Sequence, residues 1–221
     1  MEKYHKIQTL WKREFKKPCN IIVGEYALPE FEILKDVEWI GTEKVDGTNV
    51  RIKWNGDKVK FGGKTDDAQM SLHLLDKLNE LFGGESNEQL FEQIFDCEDV
   101  CLYGEGYGAK VQKGGGNYGE INFVLFDVKI AGFWLRREDI EDIAKKLDIK
   151  VVPIVFRGNL EELSNIVEKG FDSKWGNFRA EGLVAKPKIE LWARNGERII
   201  TKLKYKDFNY EKNVKKYNHS S

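Results

Sequence analysis

Lysine is the residue type whose placement first suggests chemistry in this chain of 221 residues. Lys44-Val45-Asp46-Gly47 sets one lysine at the head of an alternating run, and Lys202-Leu203-Lys204 sets two more at a spacing that puts both on one side of a strand. A lysine amine that has lost its proton is a nucleophile able to form a covalent intermediate. Free lysine titrates at about 10.4, so reactivity at neutral pH calls for neighbouring cations or desolvation. The paired lysines would supply the cations and could hold anionic oxygens. Carboxylates stand at Glu43 beside the first lysine, at Glu105 between Gly104 and Gly106, and at Glu181 five residues before Lys186. Taken singly these signals are weak. K-x-D-G arises by chance in about one protein in twenty of this length at average composition, Gly-Glu-Gly is an ordinary turn, and Lys-x-Lys is also an exposed basic strand face.

Elements able to position such residues are legible in the pattern. From Thr48, Val50, Ile52 and Trp54 alternate with Asn49, Arg51 and Lys53, Asn55-Gly56 interrupts, and Val59 and Phe61 resume. This predicts a β-hairpin with a type I′ turn, with Lys44 just ahead of its first strand. Leucines at 72, 74, 75, 78 and 81 with Phe82 predict a helix between Asp67 and Gly83, capped by Asp66 or Asp67. A second helix opens at Ser86-x-x-Gln89 as a capping box and carries Leu90, Phe91, Ile94 and Phe95. Strand-like runs follow at 100–103, 121–128, 151–156, 182–185 and 199–204, with helices over 138–147 and 160–169. Hairpins mixed with helices imply an α+β fold with largely antiparallel sheets flanked by helices. Gly114-Gly115-Gly116-Asn117-Tyr118-Gly119 reads as a mobile surface loop, and nothing marks a domain boundary, so residues 1–221 are expected to form a single domain with a basic tail over 205–221.

A hydrophobic fraction of 41% with 33% charged residues is that of a globular chain. No apolar run approaches a membrane span or a leader peptide, which predicts a cytoplasmic protein with no membrane partner. Cys19, Cys97 and Cys101 lack zinc-site spacing and are expected to be reduced thiols. The net charge of −1 favours no partner, yet the ends are basic: residues 1–18 hold six Lys/Arg against two acids, and residues 198–216 hold seven against two. Such clusters can track a phosphate backbone, or be solvated faces.

The order of the segments is more specific than any of them. After Lys44-Val-Asp-Gly come Leu102-Tyr-Gly-Glu105-Gly, Phe123-Val-Leu-Phe126-Asp127, Glu181-Gly-Leu-Val-Ala-Lys186 and Thr201-Lys202-Leu-Lys204. Over roughly residues 40 to 206 this resembles the covalent nucleotidyltransferases, the superfamily of DNA ligases, RNA ligases and capping enzymes, and within it the phage-type RNA ligases that seal nicks in duplex RNA. Lys6-Ile-Gln-Thr9-Leu-Trp-Lys12-Arg13 is similar to the segment that opens those ligases. The resemblance implies a nucleotidyltransferase (adenylation) domain that uses ATP with Mg²⁺ or Mn²⁺. By the same resemblance Lys44 takes AMP, Glu181 binds the metal, Lys186, Lys202 and Lys204 contact phosphate, and Glu105 binds the ribose hydroxyls. Phe126 stacks on adenine, with Phe123 as the alternative if the register slips. Glu43 and Lys64 complete the nucleotide site; Lys64 stands where many relatives carry an arginine, whose bidentate fork a lysine lacks.

The implied reaction passes AMP to a 5′-phosphate end and joins a 3′-hydroxyl to it with release of AMP, on a nicked duplex with RNA at the 3′ side. Two departures bear on this. Duplex-RNA nick-sealing relatives most often have His where this chain has Asp46, and relatives that seal unaided usually carry another domain after the Lys-x-Lys motif, so a protein partner is expected to replace it. A minimal DNA ligase, a GTP-using capping enzyme and a non-catalytic nucleotide- or end-binding module are the competing readings.

Overall fold

The computed structural model describes residues 2–16, 19–112 and 115–208. Along the chain run β1 (Gln8–Thr9), β2 (Trp11–Arg13), β3 (Ile21–Tyr26), α1 (Pro29–Ile33), β4 (Trp39–Glu43), β5 (Thr48–Trp54), β6 (Val59–Gly62), α2 (Leu72–Phe82), α3 (Glu85–Ile94), β7 (Val100–Tyr107), a 3-10 turn (Gly115–Tyr118), β8 (Asn122–Ile130), β9 (Phe133–Trp134), α4 (Arg137–Lys146), β10 (Lys150–Val151), β11 (Ile154–Gly158), α5 (Leu160–Lys169), β12 (Gly182–Pro187), β13 (Thr201–Lys204) and α6 (Tyr205–Phe208). The chain divides into two compact units: unit 1 takes the residues up to Tyr4 and Val45–Val152, and unit 2 takes His5–Lys44 and the residues from Pro153 on. It therefore changes unit at Tyr4-His5, Lys44-Val45 and Val152-Pro153. No shift of composition marks these crossings, so the sequence reads as one piece.

Unit 1 is built on a sheet of order β10-β8-β7-β5-β6, with β9 added to β8, antiparallel except for the β10–β8 pair. Val50, Ile52 and Trp54 of β5, Leu102 of β7 and Phe123, Leu125 and Val128 of β8 face one way, against Leu74, Leu78 and Phe82 of α2, Phe91 of α3 and Ile140 of α4. The period-2 and helical spacings of the sequence meet in this core. The opposite face is covered as well. Arg51 there is 0% exposed, and the segment Glu2–Tyr4 lies across it: Arg51 Nη1 and Tyr103 Oη each donate to the Glu2 carbonyl, at 3.3 Å in both cases.

Unit 2 carries a sheet of order β1-β13-β12-β4-β11, with β1–β13 parallel and the rest antiparallel, and a separate β2–β3 ribbon. Leu160, Leu163 and Val167 of α5 pack with Trp39, Leu183, Ala185 and Leu203. The start of α5 is set by a reciprocal capping box, in which Asn159 Oδ1 accepts from Glu162 N at 2.9 Å and Glu162 Oε2 accepts from Asn159 N at 3.0 Å.

Several local expectations are corrected. The β5–β6 connection spans residues 55–58 because Trp54 pairs with Val59, so it is a four-residue loop rather than a two-residue type I′ turn, with Asn55 Oδ1 accepting from Lys58 N at 2.7 Å. Helix α2 starts at Leu72 under Ser71, not at Asp66 or Asp67, since Asp66 is turned to Arg51 Nη2 at 2.9 Å. Gly84, without a side-chain cap, precedes α3, so Ser86 and Gln89 form no capping box. The run 151–156 is split at Val152-Pro153 into β10 and β11, which belong to different units. The glycine-rich stretch is only partly at the surface where it is described: Gly116, Asn117 and Gly119 are exposed, while Gly115 and Tyr118 are buried. The local pattern carries no signal for β1 to β4, α1, β9 or α6. Cys19, Cys97 and Cys101 are free thiols, and among the described residues no helix is long and apolar enough to cross a membrane.

Candidate functional site

Lys44 directly follows β4 in unit 2, and Val45-Asp46-Gly47 separate it from the start of β5. In unit 2 its N–H donates to the Gly182 carbonyl at 2.9 Å, which carries the β4–β12 ladder one residue further. Pairing sets Thr42 opposite Val184 and Val184 opposite Lys202. Alternation then turns Leu183, Ala185 and Leu203 to the core and places Val184, Lys186, Lys202 and Lys204 on the other face.

At the end of these strands three charged side chains meet. Lys44 Nζ donates to Glu181 Oε2 at 2.6 Å, and Lys204 Nζ lies 2.6 Å from Glu181 Oε1. The Glu181 backbone is fixed by its carbonyl, which accepts from Tyr205 N at 2.9 Å at the start of α6. Burial pushes the Glu181 carboxyl up, but the Lys44 and Lys204 ammoniums outweigh it and hold the group below the usual carboxylate range. One carboxylate shared by two cations in a part-buried setting is a charge cluster suited to receiving further anionic oxygens. Lys44, Glu181 and Lys204, separated widely in sequence, are thus brought together, with Lys202 on the same strand face.

Lys186 is drawn toward Glu190, Nζ to Oε2 3.9 Å. That carboxylate is gripped by the buried Arg198 through Nε at 2.5 Å and Nη2 at 3.0 Å. The sequence reading counted Arg198 in a basic end and missed Glu190. An arginine eight residues after a glutamate carries no local signal of pairing. Two cations of the N-terminal end are paired in the same way: Arg13 Nη2 bonds Asp207 Oδ2 at 2.6 Å and Lys12 Nζ lies 3.4 Å from Glu25 Oε2. Lys212 to Lys216 lie outside the described residues. Glu43, expected at the nucleotide, is 1% exposed and has both carboxylate oxygens engaged, by Ser173 Oγ at 2.5 Å and Lys174 N at 2.8 Å. It fastens the 173–175 segment to β4.

In unit 1 the remaining residues lie on and beside the sheet. Glu105 of β7 pairs across from Asn49 and, by alternation, shares the face of Tyr103. Its flanking glycines belong to the opposite face: Gly104 lies under the Phe123 ring and Gly106 under Leu74. They admit core side chains within a strand, so Gly-Glu-Gly is not a turn here. Gly47 of the K-x-D-G segment has its own steric reason, because a Cβ there would sit 2.2 Å from the Gly106 carbonyl. Phe123 is a core residue, 1% exposed and edge-on to Phe82. Phe126 is different. Tyr103 pairs with Asp127 but Gly104 with Leu125, so Phe126 is the extra residue of a β-bulge, half-buried and 5.1 Å from the Tyr4 ring. Tyr4 Oη also donates to the buried Asp127 Oδ2 at 2.7 Å, a contact the sequence did not suggest. Lys64 is exposed, in a loop tied down where Arg51 Nε donates to the Gly63 carbonyl at 2.6 Å.

Residues 37–205 match the family described as RNA ligase. Among solved structures, the chain is similar to a variant of the Naegleria gruberi RNA ligase with ATP and Mn, at 18% identity and a TM-score of 0.65, over 95% of this chain and 62% of that one. The same enzyme with PPi matches at 19% identity and a TM-score of 0.64, over 93% and 61%. A further variant with AMP and Mn matches at 17% and 0.64, again over 93% and 61%. At such identity the likeness is one of fold, and this chain spans about three-fifths of the length of those structures.

Proposed function

The chain belongs to the RNA ligase family, and on that premise we propose that it is an ATP-dependent RNA ligase whose Lys44 is the residue that carries AMP. The observation behind this reading is the convergence of Lys44 and Lys204 on Glu181, with Lys202 and Lys186 on the same sheet face. In the first step the Lys44 amine attacks the α-phosphorus of ATP, a P–N bond forms, the bond to pyrophosphate breaks and the amine loses its proton. Before attack the Lys44 ammonium must give a proton to solvent, which frees its lone pair, and the nitrogen must leave Glu181, 2.6 Å away, to reach phosphorus. Lys204 stays with the carboxylate when it does. A 5′-phosphate oxygen then attacks the same phosphorus and breaks the P–N bond, returning the amine. Finally a 3′-hydroxyl attacks the 5′-phosphorus and AMP leaves. Lys186, Lys202 and Lys204 hold phosphate oxygens, while in unit 1 Phe126 stacks on adenine and Glu105 takes the ribose hydroxyls. Residues 1–221 act as one nucleotidyltransferase domain in this scheme.

Mg²⁺ or Mn²⁺ fits the donors present. Mg²⁺ is commonly held by one or two carboxylates and substrate phosphates, and Glu181 offers one hard-oxygen carboxylate amid the phosphate-binding lysines. When bound there, the ion would neutralise phosphate charge. The Naegleria gruberi structures with ATP and Mn, AMP and Mn, and PPi support the reading, since these are the species a nucleotidyl transfer handles. The substrate is expected to be a nicked duplex with a 5′-phosphate and RNA at the 3′ side.

The test is incubation with divalent metal and ATP labelled at the α-phosphate, followed by denaturing electrophoresis, with Lys44→Ala alongside. A labelled band that disappears in the variant is expected. Its absence with every nucleotide, in protein free of bound AMP, would replace this reading with a non-catalytic end-binding module. Sealing of nicks with DNA but not RNA 3′ ends would make the chain a minimal DNA ligase.

A further inference from the structure

The glycine-rich segment that the sequence reads as a surface loop has a different task. Gly115 lies so close to Gly108 that a Cβ on it would be 2.2 Å from the Gly108 carbonyl, so only glycine lets the chain turn inward here. The 3-10 turn that follows, Gly115–Tyr118, delivers Tyr118 into unit 1, where it is 8% exposed beside Tyr107, ring centroids 6.0 Å apart. There its hydroxyl oxygen accepts the backbone N–H of Asp46 at 3.2 Å. Asp46 is two residues beyond Lys44, at the point where the chain has just entered unit 1. A part-buried backbone N–H without an acceptor is costly, and between β4 and β5, where the strand ladders are interrupted, this hydroxyl supplies one to Asp46.

We propose that Tyr118 is a positioning residue for adenylylation: its hydroxyl anchors the backbone just past the nucleophile and so restricts where Lys44 can go. This rests on the functional reading above. The hydroxyl acts through the Lys44-Val45-Asp46 backbone, which it bonds at Asp46 N. Small errors in the placement of a reacting group are expensive in rate, whereas overall nucleotide affinity draws on many other contacts. The effect should therefore fall on the rate of lysyl-AMP formation at saturating ATP and spare the ATP concentration for half-saturation.

The experiment compares wild type, Tyr118→Phe and Gly115→Ala in single-turnover AMP loading, with amide hydrogen exchange of the 44–49 segment measured without nucleotide. Tyr118→Phe keeps the ring and its packing but loses the acceptor. It should slow loading about fivefold to tenfold, the worth of one hydrogen bond, with half-saturation unchanged, and the Asp46 amide should exchange faster while the β5 and β7 amides do not. Gly115→Ala keeps the hydroxyl but displaces the turn, and should reproduce both effects. An unchanged loading rate in Tyr118→Phe overturns the proposal. So does a loss matched by faster exchange throughout the sheet, which would mark Tyr118 as a packing residue only. If wild type takes no AMP at all, the functional reading fails and the positioning role with it, while unchanged Asp46 exchange in a chain that does load AMP removes the anchor alone.

Discussion

Glu181 accepts from two ammoniums at once, and this has a pH signature. Its carboxyl is held below the ordinary value in the folded chain, with burial opposed and outweighed by Lys44 and Lys204. The stabilisation is therefore fully present above the unfolded carboxyl value of about 4.3 and is lost as pH falls through the lower folded value. Glu181→Gln should cost roughly 1–3 kcal/mol at neutral pH, in keeping with hydrogen bonds to charged groups. Wild type and variant should converge in acid, because protonated Glu and Gln are nearly isosteric. Unfolding midpoints measured from about pH 7 down to about pH 3 check this, and a gap that stays constant across the range refutes it. The two phenylalanines separate in the same spirit. Phe123→Ala should destabilise by about 3–5 kcal/mol as a core truncation. Phe126→Ala should leave stability nearly intact and weaken nucleotide binding by about 1–3 kcal/mol, the usual worth of a base stack. Equilibrium unfolding and nucleotide titration on both variants decide which is which.

At the scale of elements, β5 is the instructive strand. Its alternation announces one buried face, yet Arg51 on the supposedly polar side is 0% exposed, bonded to Gly63, Glu2 and Asp66. The strand pattern cannot reveal this, because the covering segment Glu2–Tyr4 is some fifty residues away in sequence and has no periodicity of its own. Arg51 thereby ties the N-terminal segment and the loop bearing Lys64 to one strand. Arg51→Met should destabilise the chain by about 2–3 kcal/mol, from buried carbonyls left without donors. It should also expose the Gly63–Asp66 loop to proteolysis before global unfolding. Wild-type cleavage kinetics in that loop would contradict the assignment.

For the whole molecule, the charge asymmetry of the sequence is weaker than it looks once pairs form within unit 2, with Arg13 on Asp207, Arg198 on Glu190 and Lys204 on Glu181. The sequence places three further cations in the tail, Lys212, Lys215 and Lys216. Deleting residues 211–221 should weaken binding to a nicked duplex and flatten its salt dependence, since each phosphate contact contributes to that slope, while AMP loading is unaffected. Nick affinity measured at two salt concentrations before and after deletion tests this, and equal slopes would place the contacts elsewhere.

Local pattern alone is enough for the helices over 138–147 and 160–169, the strands β5, β6, β7 and β8 of the larger sheet, the place of Lys44 beside a strand, and the shared face of Lys202 and Lys204. Those features depend on side-chain period and on neighbours in sequence. The ordered succession of motifs likewise pointed to the family that the match over residues 37–205 bears out. What only the tertiary structure decided is non-local. The division into two units, the meeting of Lys44 and Lys204 on Glu181, the commitment of Glu43 to Ser173, the bulge that sets Phe126 apart from the core residue Phe123, and the inward turn of the glycine-rich segment each depend on residues far apart in the chain. Such contacts form because a buried charge or polar group must find a partner wherever the fold offers one, and that choice leaves no mark on the local pattern of the sequence.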